Sequence, residues 1–104
     1  VVRVHPETGR KSIFVNEMVT TRIYDVPQDE SDLILNFLFS HLKKPMFQMR
    51  VHWPRTGTMI FWDNSSTQHL ILPDFQPQYR CNHRVAIKDD AKPIGPADAL
   101  KSVA

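Results

Sequence analysis

Tyr79-Arg80-Cys81-Asn82-His83-Arg84-Val85-Ala86-Ile87-Lys88 reads as a strand near the end of the chain. Successive side chains of a strand point to opposite faces. Arg80, Asn82 and Arg84 therefore share one face, and Cys81, His83, Val85 and Ile87 share the other. The polar face is either solvated, opposite a buried apolar one, or it lines the polar interior of a barrel. Both readings make 79–88 the last and longest strand candidate of the chain. At about 3.3 Å per residue the Cα atoms of Arg80 and Arg84 lie roughly 13 Å apart. Guanidinium grips a carboxylate as a bidentate fork that lysine cannot reproduce, so two such side chains can hold two different anions in one cavity.

Working upstream, 73–78 reads as a loop, and 68–72, 58–62 and 47–53 read as three short β segments. Pro54-Arg55-Thr56-Gly57 supplies the turn between the last two. A helix is expected over 29–44. Asp29, Glu30 and Asp32 fall in its first turn and Lys43 and Lys44 in its last, matching the helix dipole at both ends, and Pro45 stops it. Leu33, Ile34, Leu35, Phe37, Leu38, Phe39 and Leu42 wrap most of its circumference. Such a helix is buried on more than one side or packs against another subunit, so a homo-oligomer is open. Residues 20–26 form another β-prone run closed by Pro27. At the start, 1–5 and 12–15 flank Pro6-Glu7-Thr8-Gly9-Arg10 and read as a hairpin. Val1 is not an initiator methionine, and the chain reads as entering a strand in its middle. Residues 89–104 read as a mobile tail. Many short strands, turn punctuation and one packed helix predict a mainly β architecture of the barrel or jelly-roll kind.

The bulk numbers agree with one domain or a piece of one. A chain of 104 residues with 41% hydrophobic and 10% aromatic content is globular rather than disordered. The net charge is only +2, with basic residues scattered from Arg3 to Lys101. Nucleic acid calls for a clustered basic patch instead, so no nucleic-acid partner is expected. Cys81 is the single cysteine, which excludes an intrachain disulfide and points to a reducing, cytoplasmic setting. No apolar run approaches membrane-spanning length, and no signal peptide is legible.

The chemistry-bearing residues lie in Trp62-Asp63-Asn64-Ser65-Ser66-Thr67-Gln68-His69, followed after eleven residues by Arg80 and after fifteen by Arg84. A histidine in a strand is either a hydrogen-bonded structural residue or a ligand. A neutral imidazole suits Fe(II), whose facial triad of two histidines and one carboxylate leaves positions open for other molecules. His69 alone does not choose between these.

The combined pattern resembles the taurine dioxygenase (TauD/TfdA) family of iron(II)- and 2-oxoglutarate-dependent oxygenases. Its last strands carry a Trp-Asp-Asn…Thr-Gln-His stretch and then an Arg-x-x-His-Arg stretch. Trp62-Asp63-Asn64, Thr67-Gln68-His69 and Arg80-Cys81-Asn82-His83-Arg84 match with the same spacing. The run from His5 to Asn16 and Thr20-Thr21-Arg22-Ile23 also look like that family. The resemblance covers the chain from its first residue to about Lys88. Tyr79 stands where relatives often have a second arginine, and Cys81-Asn82 replace apolar residues. Arg80-x-Asn82 with Arg84 is faintly similar to the nucleic-acid demethylases of the same superfamily, a reading the other motifs and the scattered charge disfavour.

What the resemblance implies is specific. His69 matches the distal iron-binding histidine, Arg80 the arginine that pairs with the far carboxylate of 2-oxoglutarate, and Arg84 the arginine that meets the acidic group of the substrate. Trp62, Asn64 and Asn82 stand close by as wall or supporting residues, with plain packing an equal reading for Trp62. The implied fold is the C-terminal part of a double-stranded β-helix (jelly roll, cupin-like). The implied reaction is hydroxylation of a small acidic molecule by O2, coupled to decarboxylation of 2-oxoglutarate to succinate and CO2. That substrate is a sulfonate such as taurine, an alkyl sulfate or a carboxylate.

The family's other ligands form a His-x-Asp motif, and none of the five histidines here has Asp at the second position. His5-Pro6-Glu7 mimics it, but it belongs to the hairpin. The resemblance therefore implies that the missing ligands precede residue 1. It also implies that residues 1–104 are the C-terminal part of one dioxygenase domain, inactive and poorly able to hold iron alone. The alternative of another class is a non-catalytic β-rich binding or oligomerisation module that keeps the scaffold.

Overall fold

The computed structural model describes residues 1–88 and 92–98. In chain order the elements are β1 (Val2–Val4), β2 (Lys11–Ile13), α1 (Gln28–Leu42) and one turn of 3-10 helix (Pro45–Phe47). β1 and β2 pair antiparallel in the register Val2 to Ile13, Arg3 to Ser12 and Val4 to Lys11. The connecting turn closes when the His5 N–H donates to the Arg10 carbonyl at 2.9 Å and the Gly9 N–H donates to the His5 carbonyl at 2.9 Å. Gly9 sits at φ 68°, a left-handed conformation in which a Cβ is strained, which is why glycine occupies it. The hairpin read from the sequence is therefore present, though its second strand ends at Ile13 rather than Val15.

The outer edge of β1 does not stay open. The Val4 N–H donates to the Ile94 carbonyl at 3.0 Å, and the two residues form an isolated antiparallel bridge. Within the expected 89–104 tail, Ile94 thus lies on this strand edge, where an unpaired edge recruits a partner. Residues 89–91 and 99–104 lie outside the described residues.

The helix follows its local signals. Pro27 is the N-cap and its carbonyl accepts the Ser31 N–H at 2.9 Å; Asp29 and Glu30 occupy the first turn, and Lys43 is the C-cap. Ser31 is fully buried and its Oγ accepts the Ile23 N–H at 2.8 Å, fastening the preceding segment to the helix. One turn further on, Leu35 is buried and joins Val4 and Val15 as the buried apolar residues. Of the two expectations for this helix, burial on more than one side is not met within the chain. Leu33, Ile34 and Phe37 are exposed, because nothing among the described residues covers that face.

The other expected strands are corrected as well. Residues 20–26, 48–53, 58–62, 68–72 and 79–88 are assigned to no ladder, and Pro45–Phe47 takes up the start of the 47–53 segment as 3-10 helix. The turn between 47–53 and 58–62 does form: Thr58 donates to the Arg55 carbonyl through N–H and Oγ1, and Gly57 takes φ 85°. Propensity alone makes no strand. Each backbone N–H and C=O needs a neighbour about 4.8 Å away, and no described segment runs beside these. The hairpin is thus the part of the mainly β expectation that these residues carry.

Candidate active site

The segment 62–69 is a loop built around one carboxylate. Asp63 Oδ1 accepts from the Ser65 N–H at 2.7 Å and the Ser65 hydroxyl at 2.6 Å, and Oδ2 accepts from the Ser66 hydroxyl at 2.9 Å. Its carbonyl accepts from the Thr67 N–H at 3.1 Å and from the Thr67 hydroxyl. Short side chains folding back on nearby backbone are what Asp and Ser do where the chain turns.

The fourth side-chain bond is long-range. His5 Nε2 lies 2.8 Å from Asp63 Oδ2 across 58 positions of sequence. The Glu7 and Thr8 N–H groups both point at His5 Nδ1, at 3.2 Å each, so Nδ1 is the acceptor and Nε2 carries the proton that Asp63 receives. Both ring nitrogens are thereby committed, and His5 has no lone pair free for a metal. Together these donors hold the Asp63 carboxyl far below the usual carboxylate range. The Ser65 hydroxyl is the largest cause, then the Ser65 N–H, Ser66 and His5, against a smaller opposing effect of desolvation.

The two ends of the loop meet. Trp62 and His69 stand with ring centroids 5.2 Å apart and planes at 54°, and Trp62 Nε1 donates to Asn64 Oδ1 at 2.9 Å. Gln68 Nε2 donates to the carbonyl of buried Val15, so the residue before His69 is tied to the chain just after β2. Trp62 therefore stands next to His69, and Asn64 is tied to the Trp62 indole.

Arg80 is partly buried, with its guanidinium carbon 5.2 Å from the centroid of the Phe75 ring, a cation–π contact. With the Asn82 amide oriented by its hydrogen bonds, Oδ1 accepts from Arg80 Nε at 3.1 Å and Nη2 at 3.0 Å, while Nδ2 donates to the Cys81 carbonyl at 3.1 Å. Arg80 and Asn82 thus share one side, as alternation predicts. Asn82 occupies the Nε–Nη2 edge and leaves the Nη1–Nη2 edge of the fork open. Arg84 is exposed and forms no ion pair among the described residues.

A cleft of about 410 Å³ lies elsewhere, between the hairpin and the loop, lined by His5, Thr8, Arg10, Lys11, Ser12, Asp63 and Ser66. None of His69, Arg80 and Arg84 lines it, so we place the candidate chemistry by donor type and not by cavity size. Among the described residues no three of His, Cys, Asp and Glu converge as a metal site. His69 is exposed and its imidazole chemistry suits one coordination position, but a single donor does not make a site for iron. The sequence reading gives His5 to the hairpin and Asp63 to the Trp62-Asp63-Asn64 motif, with no role for either. Asp63-x-Ser65-Ser66 is a readable turn signature, but nothing local announces the partner 58 positions away.

Comparison with known proteins gives the family. The model of the taurine catabolism dioxygenase TauD, TfdA family matches residues 1–86. An alkylsulfatase of Acinetobacter baylyi is 36% identical over 87 residues, covering 84% of this chain and 27% of the relative. The alpha-ketoglutarate-dependent dioxygenase cnsP of Penicillium expansum is 43% identical over 76 residues, covering 72% of this chain and 20% of the relative. An alpha-ketoglutarate-dependent sulfonate dioxygenase of Saccharomyces cerevisiae is 29% identical over 102 residues, covering 97% of this chain and 24% of the relative. No solved structure matches. The chain belongs to the TauD/TfdA family of dioxygenases, and it spans 20% to 27% of the length of these three relatives.

Proposed function

We propose that this chain is the C-terminal part of an Fe(II)- and 2-oxoglutarate-dependent dioxygenase of jelly-roll fold. The enzyme hydroxylates a small acidic organic molecule in the cytoplasm, with decarboxylation of 2-oxoglutarate to succinate and CO2. The family match over residues 1–86 is the observation that carries the reading. The donor chemistry of three side chains supports its assignment to residues. His69 presents an imidazole on a loop tied at both ends. Arg80 keeps one edge of its fork open to a carboxylate while Asn82 and Phe75 hold the other edge and the face. Arg84 offers a second cation, without an ion pair among the described residues, to a sulfonate, sulfate or carboxylate.

In this reading His69 supplies one of the iron ligands, and the remaining ligands come from outside residues 1–104. The bound metal supplies the oxidising chemistry, while the chain's own residues position two anions and limit where the substrate can sit. Relatives named for alkyl sulfate, sulfate ester and sulfonate substrates support an acidic sulfur compound as the substrate class.

The test uses the complete protein that carries this chain, loaded anaerobically with Fe(II) and 2-oxoglutarate. A visible metal-to-ligand charge-transfer band is expected. His69→Ala abolishes it, and Arg80→Ala raises the 2-oxoglutarate concentration needed by about 10- to 100-fold, the worth of a charge-assisted hydrogen-bond pair. A folded wild-type protein without the band sinks the reading and leaves a non-catalytic binding module.

A further inference from the structure

We infer that His5 and Asp63 are positioning residues for His69: their hydrogen bond clamps the 62–69 loop onto the N-terminal hairpin and so fixes the direction of the His69 imidazole. The clamp itself stands on geometry alone, while its functional weight rests on the proposed ligand role of His69.

Four observations carry it. His5 is committed at both ring nitrogens, so its ring is held from the hairpin side and can reach Asp63 in one orientation only. Asp63 is in turn committed at both oxygens, to Ser65 and to Ser66 and His5. It joins a local turn to a remote element in one group. A second strap from Gln68 to Val15 holds the other end of the loop to the chain beyond β2. Immediately outside these two straps Trp62 and His69 meet ring to ring, and Asn64 holds the indole N–H.

An exposed histidine on an unanchored loop samples several rotamers. Here the residue beside each ring is fastened, Asp63 to the hairpin and Gln68 to the chain just beyond it. Carboxylate–histidine pairs that orient a neighbouring group are worth about 10- to 100-fold in the affinity of the site they support. The pair also explains why His5 is not itself a metal ligand: its lone pair is spent on the Glu7 and Thr8 N–H groups.

The decisive measurement is the NMR shift of the His69 ring protons in the metal-free complete protein, which the Trp62 ring current displaces. Trp62→Leu sets the shift of the unstacked ring. His5→Phe, which keeps a ring but no hydrogen bond, and Asp63→Ala move the His69 signals toward that value. Asp63→Asn keeps them near the wild-type position, because its amide oxygen can stand at the Oδ2 position and still accept from His5 Nε2–H, while Nδ2 donates to the Ser65 hydroxyl. The double variant His5→Phe/Asp63→Ala moves them no further than Asp63→Ala alone, since one link is broken in each case. Fe(II) affinity falls about 10- to 100-fold in the same variants and is retained in Asp63→Asn.

Circular dichroism and melting identify any variant that fails to fold, and His5→Phe then decides alone, because it leaves the loop's internal bonds untouched. Unmoved His69 signals in folded His5→Phe overturn the clamp. Unchanged Fe(II) affinity in His69→Ala instead overturns the ligand role, and the shifts still decide the clamp.

Discussion

Asp63 illustrates how one carboxylate can organise a loop that has no ladder to hold it. Its pKa is held below the ordinary value of 3.8 in the folded chain. A depressed carboxylate contributes stability above the unfolded-state value and loses it as pH falls toward the folded-state value. Its contribution is therefore whole at neutral pH and fades progressively once the pH drops below about 4. Asp63→Asn is expected to flatten the acid limb of a plot of melting temperature against pH, most visibly between about pH 4 and 2. Equal acid limbs in both proteins would contradict the role given to Ser65, Ser66 and His5. The exposed Lys43 to Glu17 pair, at 2.6 Å, adds little to such a curve because solvent screens it. Local spacing made the Ser65 and Ser66 contacts legible, whereas the His5 contact depends on where the hairpin lies.

At the scale of elements, α1 is held by a narrow stripe. Ser31 and Leu35, one turn apart, are its buried residues, while Leu33 two positions from each is 73% exposed. Ser31→Ala removes the acceptor of the Ile23 N–H and should cost about 1–2 kcal/mol, the penalty of leaving a largely buried donor unmet. Leu35→Ala should cost about 2 kcal/mol, the low end of the usual range, since few apolar neighbours surround it. Leu33→Ala should stay within about 0.5 kcal/mol. Urea midpoints of the three variants check the order, and a Leu33→Ala loss as large as that of Leu35→Ala would place the packing stripe on the wrong face. The helix limits were legible because caps, dipole charges and Pro45 act within one turn. Its depth of burial was not, because seven apolar residues around a helix do not say which of them find a partner.

For the whole molecule, the numbers describe an open chain. The radius of gyration is 17.0 Å, against about 13 Å for a compact chain of this length. The accessible surface is 9773 Å², against roughly 6,000 Å² for a folded monomer of this mass. Among the exposed side chains are Phe37, Phe61, Leu70, Val85 and Ile87, a quantity of apolar surface that soluble monomers rarely present. The 104-residue chain by itself is expected to bind a hydrophobic dye strongly and to elute in size exclusion well ahead of a compact 12.1 kDa standard. A single compact monomer peak without dye binding would mean that these segments find partners within the chain. No helix among the described residues is long and apolar enough to cross a membrane, so that surface is not explained by a helical span.

Short-range physics made three features legible in the sequence: the Gly9 hairpin, the Gly57 turn and the approximate bounds of α1. Each depends on side chains within a few positions of one another. Only the tertiary structure decided that Ile94 returns to the edge of β1, that Gln68 reaches Val15, and that Asp63 receives the proton of His5. It also decided that the β-prone runs around 58–62, 68–72 and 79–88 stand without ladders among the described residues. Strand pairing and hydrogen bonds across fifty or more positions are satisfied or left open by whatever lies alongside, and no local propensity specifies that neighbour.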